Sequence, residues 1–303
     1  MAYIRKSSFK FIKDPGDIRI GEILQTGGGR VDVGILGVPW DGATGTRPGS
    51  RAAPSKLRQM LFTSTYLGGN TFRDFGDVDA VVGAHEETWR RVAESVRTFL
   101  QEVNRLVVLG GDSTCSYSSF RGLRATEKGG LTYVMMDAHP DLREVEEGLT
   151  SGLASKWIRE TDGECRMFIV GVRRRSNAPY LFENAKKLNV TVITMDDIES
   201  RGVRDIADQI ADESTGRIAQ LSFNPDVLDP AFAPGVNSIS AGGLTTREAT
   251  AFMSRVSEKV KLRILDIVEY TPAYDHADIT AAACAAAISG VIWPGGAPVV
   301  SSG

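Results

Sequence analysis

Seven runs of apolar, β-branched residues punctuate the chain, at 31–38, 105–111, 131–138, 166–172, 190–195, 217–223 and 262–268. Runs such as LTYVMMDA (131–138) are nearly continuous in apolar character, as expected of strands covered on both faces. Amphipathic segments lie between them, at about 52–62, 87–103, 116–126, 178–187, 199–213, 246–258 and 276–292. In HEETWRRVAESVRTFLQEV, Val92, Val96 and Leu100 recur every four residues on one helical face. Its acidic residues come first, where the helix dipole favours them. Strand and helix alternate, so the pattern predicts an α/β chain with a mostly parallel sheet and helices on both faces. No linker or internal repeat interrupts the alternation, which makes residues 1–303 a single domain.

In such a sheet, ligands bind beyond the carboxyl ends of the strands. Asp112, the segment Asp137 to Asp141, Asp226 and Glu269 each follow a predicted strand. The densest group is MMDAHPDLRE, with Asp137, His139 and Asp141 at alternate positions. On an extended segment, residues two apart point to the same side, so the three can converge if the chain stays extended. Carboxylates and imidazole suit Mn, Fe, Ni or Zn. The plainer alternative is a loop of solvated acids with one incidental histidine.

Composition narrows the partners. Apolar residues make up 42% and charged residues 24%, ordinary values for a globular protein. A net charge of −3 and a pI near 5.8 argue against nucleic acid and anionic membrane as partners. The longest apolar run, 281–293, is broken by Ser289 and Gly290 and falls short of the roughly 20 residues of a membrane helix. Cys115, Cys165 and Cys284 show no paired spacing, and MAYIRKSSFKFIKDPGD has no apolar leader core. Both features predict a reducing, cytoplasmic location.

Six motifs, in order, carry a resemblance. They are GVPWDGATGTRPGSRAAPSKLR (37–58), DFGDV (74–78), VVLGGD (107–112), DAHPDLR (137–143), LSFNPDVLDPAFAPG (221–235) with GGLTTRE (242–248), and DIVEYTPAYDHADITA (266–281). The chain resembles the arginase/agmatinase (ureohydrolase) family along nearly its whole length. The resemblance implies a three-layer arginase-like fold and hydrolysis of a guanidine or amidine carbon–nitrogen bond. Family members use two Mn ions held by two histidines and four aspartates. It implies cleavage of substrates such as agmatine, arginine, guanidinobutyrate or formiminoglutamate, and self-assembly into trimers or hexamers.

Placed residue by residue, the metal ligands Asp137, His139, Asp141 and Asp226 are retained, and two others are not. The family's histidine after GGD is Ser113 here, and the aspartate that touches both metals is Asn224. A third departure is the family's proton-transfer histidine beyond the metal loop. TSGLAS stands there, and no histidine lies between His139 and His276. The glutamate before GGL is also missing, with Ser240 or its neighbour in its place. Glu269, which faces the substrate guanidinium in the family, is kept.

These departures predict an atypical site. Asp137, His139 and Asp226 would hold one divalent metal, Mn first and Ni, Zn or Fe as alternatives, while the second position is crippled. Asp141 would relay a proton and Glu269 would hold the cationic group. Without a metal, the acids would raise one another's pKa, and Arg143 would serve as counter-ion. The corresponding alternatives to a hydrolase are a non-catalytic relative that binds a small guanidino ligand, or repurposed metal-free chemistry.

The remaining candidates have mainly structural readings. Ser113 and Cys115 sit at a strand-to-helix turn, where Cys115 could be an activated thiolate. The plainer reading there is that Ser113 or Thr114 caps the helix and Cys115 is buried. Trp40 and Asp41 are expected to line the entrance. Of RRRS (173–176), Arg174 and Arg175 are read as a solvated loop. His276 is expected to open the last helix, and His85 to be solvated.

Overall fold

The computed structural model describes residues 14–296. Most of the N-terminal segment read for a leader, and both ends of the 1–303 domain, lie outside the described residues.

Eight strands form one sheet: β1 (Val31–Gly37), β2 (Phe72–Asp77), β3 (Val103–Leu109), β4 (Leu131–Met136), β5 (Arg166–Val172), β6 (Thr191–Thr194), β7 (Ile218–Phe223) and β8 (Lys261–Ile267). Their order is β2-β1-β3-β8-β7-β4-β5-β6, and every pairing is parallel. All seven strands expected from the apolar runs are present. The eighth, β2, reads FRDFGD and lies at the sheet edge with only Phe72 and Arg73 buried. An edge strand needs no apolar run, so periodicity missed it.

The helices divide between the faces. Leu57 of α1 (Ala53–Phe62), Ile206 of α7 (Val203–Glu213), Phe252 of α8 (Thr246–Lys259) and Ile288 of α9 (Ile279–Ile292) pack into one core. Val96 of α2 (His85–Phe99), Phe120 of α3 (Thr114–Thr126), Ile158 of α4 (Ala154–Thr161) and Leu181 of α5 (Pro179–Lys187) pack into the other. The strands feed both by alternation. Val107 and Leu109 of β3 belong to the first core, and Leu106 and Val108 to the second. Full burial of each such side chain contributes roughly 1.5–3 kcal/mol.

Two helical expectations change. The segment at 199–213 is two helices, because Gly202 adopts φ 82 between α6 (Met195–Arg201) and α7. Thr194 and Asp197 cap α6 reciprocally, which ends β6 one residue early. The short helix α4 was unpredicted: its eight residues bury Ile158 beside Arg159, too brief a pattern to stand out. Among the described residues, no helix is long and apolar enough to cross a membrane.

Candidate active site

The four central strands β3, β8, β7 and β4 are neighbours, and their carboxyl ends deliver Ser113, Glu269, Asn224 with Asp226, and Asp137 with His139 to one region. Two backbone bonds extend the ladder past the strands. Asp137 N–H donates to Val170 O at 3.0 Å, and Asn224 N–H donates to Met136 O at 3.0 Å. Pro225–Val227 then form a 3-10 turn, capped by Asn224 Oδ1, which accepts from Asp226 N–H at 3.0 Å. That turn aims Asp226 back at β4, where its Oδ1 accepts from Ala138 N–H at 2.9 Å.

Asp137, His139 and Asp226 come together, each offering a ligand atom within 4.8 Å of the others. His139 Nδ1 lies 3.0 Å from Asp226 Oδ2 and 3.3 Å from Asp137 Oδ1. Both aspartates are buried. Asp226 Oδ2 accepts no well-aligned hydrogen bond despite its burial. Burial opposes charge on His139, but Asp226 and Asp137 outweigh it and hold the imidazole up at about 11. Burial, reinforced by the Asp226 charge, pushes the Asp137 carboxyl up to about 7.

Asp141 lies outside that group. Its backbone is left-handed, φ 51, so the segment does not stay extended through all three alternating positions. Its buried carboxyl lines the same cavity, raised well above the usual range by burial and by Asp137. Arg143, at the exposed edge of the cavity, forms no ion pair with these acids among the described residues. The counter-ion expected of Arg143 is His139 instead, because the imidazole sits between two carboxylates.

Both substituted ligand positions are engaged elsewhere. Asn224 Nδ2 donates to Asp137 Oδ2 at 2.8 Å, which turns its amide hydrogens, rather than a lone pair, toward the acids. Ser113 donates its N–H at 2.8 Å and its hydroxyl at 2.9 Å to Glu269 Oε1. Asn237 Nδ2 donates to Glu269 Oε2. Glu269 is thus clamped from both sides, and burial with the Asp112 charge pushes it up to about 8. Asn237 was missed by the sequence reading. It sits in an unpatterned loop, and only the fold brings it to Glu269.

These groups line a polar cavity of about 350 Å³ that includes Ser113, His139, Asp141, Asn224, Asp226 and Glu269. Trp40 and Asp41, expected at its entrance, line a separate cavity of about 700 Å³ with Arg51, Asp77, His85 and Leu149. Asp41 is spent on loop geometry: it accepts from Gly49 N–H at 2.8 Å and pairs with Arg51.

Neither Ser113 nor Thr114 caps α3 with its side chain. Asp112 does so, accepting from Thr114 N–H at 3.0 Å and from Ala43 N–H at 2.8 Å. Cys115 is buried, and burial with the Asp112 charge pushes its thiol well up, the opposite of an activated thiolate. Ser240 Oγ bonds to Ser176 Oγ at 2.9 Å, away from the acids. Arg174 and Arg175 are exposed, with Arg174 paired to Asp196. His276 is exposed just before α9, and His85 opens α2 against Trp89.

A model of the arginase family matches residues 31–293. The formimidoylglutamase of Macrococcus caseolyticus is 30% identical over 250 residues, covering 81% of this chain and 79% of that protein. The agmatinase of Bacillus cereus is 29% identical over 257 residues, covering 81% and 86%. The crystal structure of formimidoylglutamase from Bacillus subtilis superposes with a TM-score of 0.86 at 25% identity, covering 96% of this chain and 95% of that one.

Proposed function

Because the chain belongs to the arginase family of C–N hydrolases, we propose that it hydrolyses a small guanidine or amidine at an atypical site built for one divalent cation. The carrying observation is the convergence of Asp137, His139 and Asp226, with Asp226 Oδ2 buried and without a well-aligned donor. A buried carboxylate oxygen whose near neighbour is the His139 imidazole at 3.0 Å, beside a second carboxylate, suits a single ion. A second ion does not fit. Ser113 spends its hydroxyl on Glu269, and Asn224 turns amide hydrogens toward Asp137. Mn is the first expectation, with Ni, Zn or Fe as alternatives. When bound, such an ion supplies the Lewis acidity that makes water nucleophilic near neutral pH.

The chain's own residues do the rest. Glu269, clamped by Ser113 and Asn237, presents a fixed acceptor for the planar cationic head of the substrate, whose positive charge draws the raised carboxyl back to its ionised form. Asp141, buried and held toward its protonated form, is placed in the cavity to pass a proton to the departing nitrogen. Arg143 at the exposed edge is suited to an acidic tail, which favours guanidino or formimidoyl acids over a substrate with a second cationic end.

A second reading keeps the frame and drops the metal, leaving a protein that binds a guanidino ligand without turnover. It is supported by the His139 contacts, in which an imidazolium already neutralises Asp137 and Asp226.

Metal analysis of protein purified with Mn or Ni, beside a panel of guanidines and amidines assayed for urea, formamide and ammonia, separates the two. About one equivalent of metal with product release from an acidic-tailed substrate is expected. Well under one equivalent with no product from any compound would sink the hydrolase reading. Chromatography with light scattering tests the trimer or hexamer expected from the family resemblance.

A further inference from the structure

Arg173 follows β5, flanks β4 and is buried, yet among the described residues it has no carboxylate partner. Its guanidinium is spent on backbone carbonyls. Nη1 donates to Gly171 O at 2.9 Å. Nη2 lies 2.9 Å from Asp226 O, 2.7 Å from Val227 O, 3.0 Å from Leu228 O and 3.3 Å from Ser240 O. Its own N–H donates to Ala138 O at 3.1 Å. One residue therefore ties down both segments of the acid–imidazole group, 137–139 after β4 and 226–228 after β7.

Burying a guanidinium costs several kcal/mol unless its donors and charge are compensated. Here burial lowers the guanidinium pKa, and the carbonyl dipoles and the nearby Asp226 and Asp137 charges offset that only in part. Among the described residues Nε is left without an acceptor, so the group is held at a cost. The space is reserved as well. A Cβ at Gly243 would collide with Arg173 Nη2 and with the backbone of Leu228 and Asp229.

We infer that Arg173 is a positioning residue for this site: by gripping three consecutive carbonyls it sets the pitch of the 225–227 turn and so holds the Asp226 carboxylate against His139. Its importance for catalysis rests on the proposed role of Asp226 as a metal ligand, but the mechanical hold does not. Nothing in the side chain lines the cavity, so its guanidinium acts through the Asp226 segment it grips.

Two variants and two readouts test this on the full chain. Arg173→Met removes the donors and the charge, and Arg173→Gln keeps a polar head but loses the charge and the reach to the carbonyls. In both, amide hydrogen exchange at Val227 and Leu228 is expected to quicken at least tenfold, while the β7 amides at 218–223 keep their protection. Mn2+ affinity by calorimetry is expected to fall 10–100-fold, the usual consequence of losing a partner that orients a ligand. Arg173→Lys, with one ammonium for several carbonyls, is expected to recover part of both. Exchange that is unchanged, or that rises equally across β7 and the turn, overturns the inference, as does unaltered Mn2+ affinity. Failure of the wild type to take Mn2+ would instead sink the metal reading, and the exchange arm would still decide whether Arg173 holds the turn.

Discussion

Restoring a carboxylate at position 224 asks most of the site. The Asn224 amide is buried and donates to Asp137 Oδ2 at 2.8 Å. With a carboxylate in its place, two like charges would sit about 3 Å apart, a repulsion of about 6 kcal/mol at an effective dielectric of about 20. The protein has a less costly route. A proton kept on the pair restores a donor between the two groups. At pH 7 that proton costs about 4 kcal/mol, or about 1.36 kcal/mol for each of the roughly three pH units above the ordinary aspartate value of about 3.9. The smaller figure sets the ceiling, and Asp137, itself raised to about 7, already carries part of that proton in wild type, so Asn224→Asp is expected to lose up to about 4 kcal/mol at pH 7 in chelator.

The sign fixes the pH dependence. The introduced carboxyl has a folded pKa raised above its unfolded value. Its penalty is therefore absent below about pH 4 and grows as pH rises, reaching about 1.5 kcal/mol by pH 5. Thermal melts of wild type and variant with EDTA should differ by up to about 6 °C at pH 7 and about 2 °C at pH 5. Added Mn2+ should narrow the gap, because the new oxygen is then a ligand. A deficit that does not change with pH, or one under about 1 kcal/mol at pH 7, refutes the premise that Asn224 donates to a buried carboxylate.

Three further outcomes follow from the same geometry. Asp226→Ala removes the buried oxygen that faces His139 at 3.0 Å, so calorimetry should find Mn2+ binding abolished and product release should vanish. Asp266, fully buried under Ser116 and Gln220, is pushed up to about 6 by burial. A raised acid stabilises the fold below its unfolded pKa and loses that contribution as pH climbs through its folded one. Urea melts of Asp266→Asn should therefore show a fall between about pH 4 and 6 that is smaller than wild type's by Asp266's share, about 3 kcal/mol, while the other raised acids keep theirs. Gly111→Ala would drive a Cβ into the Trp40 carbonyl, and denaturant titration should show a loss of about 3 kcal/mol or more.

Much of the frame was legible in the residues themselves. Apolar runs such as LTYVMMDA must be buried on both faces, and helices must alternate with them to do the covering, so the layers follow from burial alone. The position of the acids at strand ends followed too, as did the presence of Ser113 and Asn224 where the family resemblance expects a histidine and an aspartate, because residue identity is written in the chain. Local geometry was less readable. The left-handed turn at Asp141 broke an alternation that looked regular, and β2 and α4 lacked enough buried residues to leave a periodic trace.

What each side chain would touch was decided only by tertiary structure. Asn237 reaches Glu269 across 32 positions, and Arg173 reaches the 226–228 carbonyls from more than 50 positions away. Trp40 and Asp41 turned to another cavity, and His139 took the counter-ion role expected of Arg143. A hydrogen bond depends on distances of a few tenths of an ångström between residues remote in the chain. Those distances are set by the order and register of the sheet, which no local pattern encodes, whereas hydrophobic periodicity is written into each segment by its own burial.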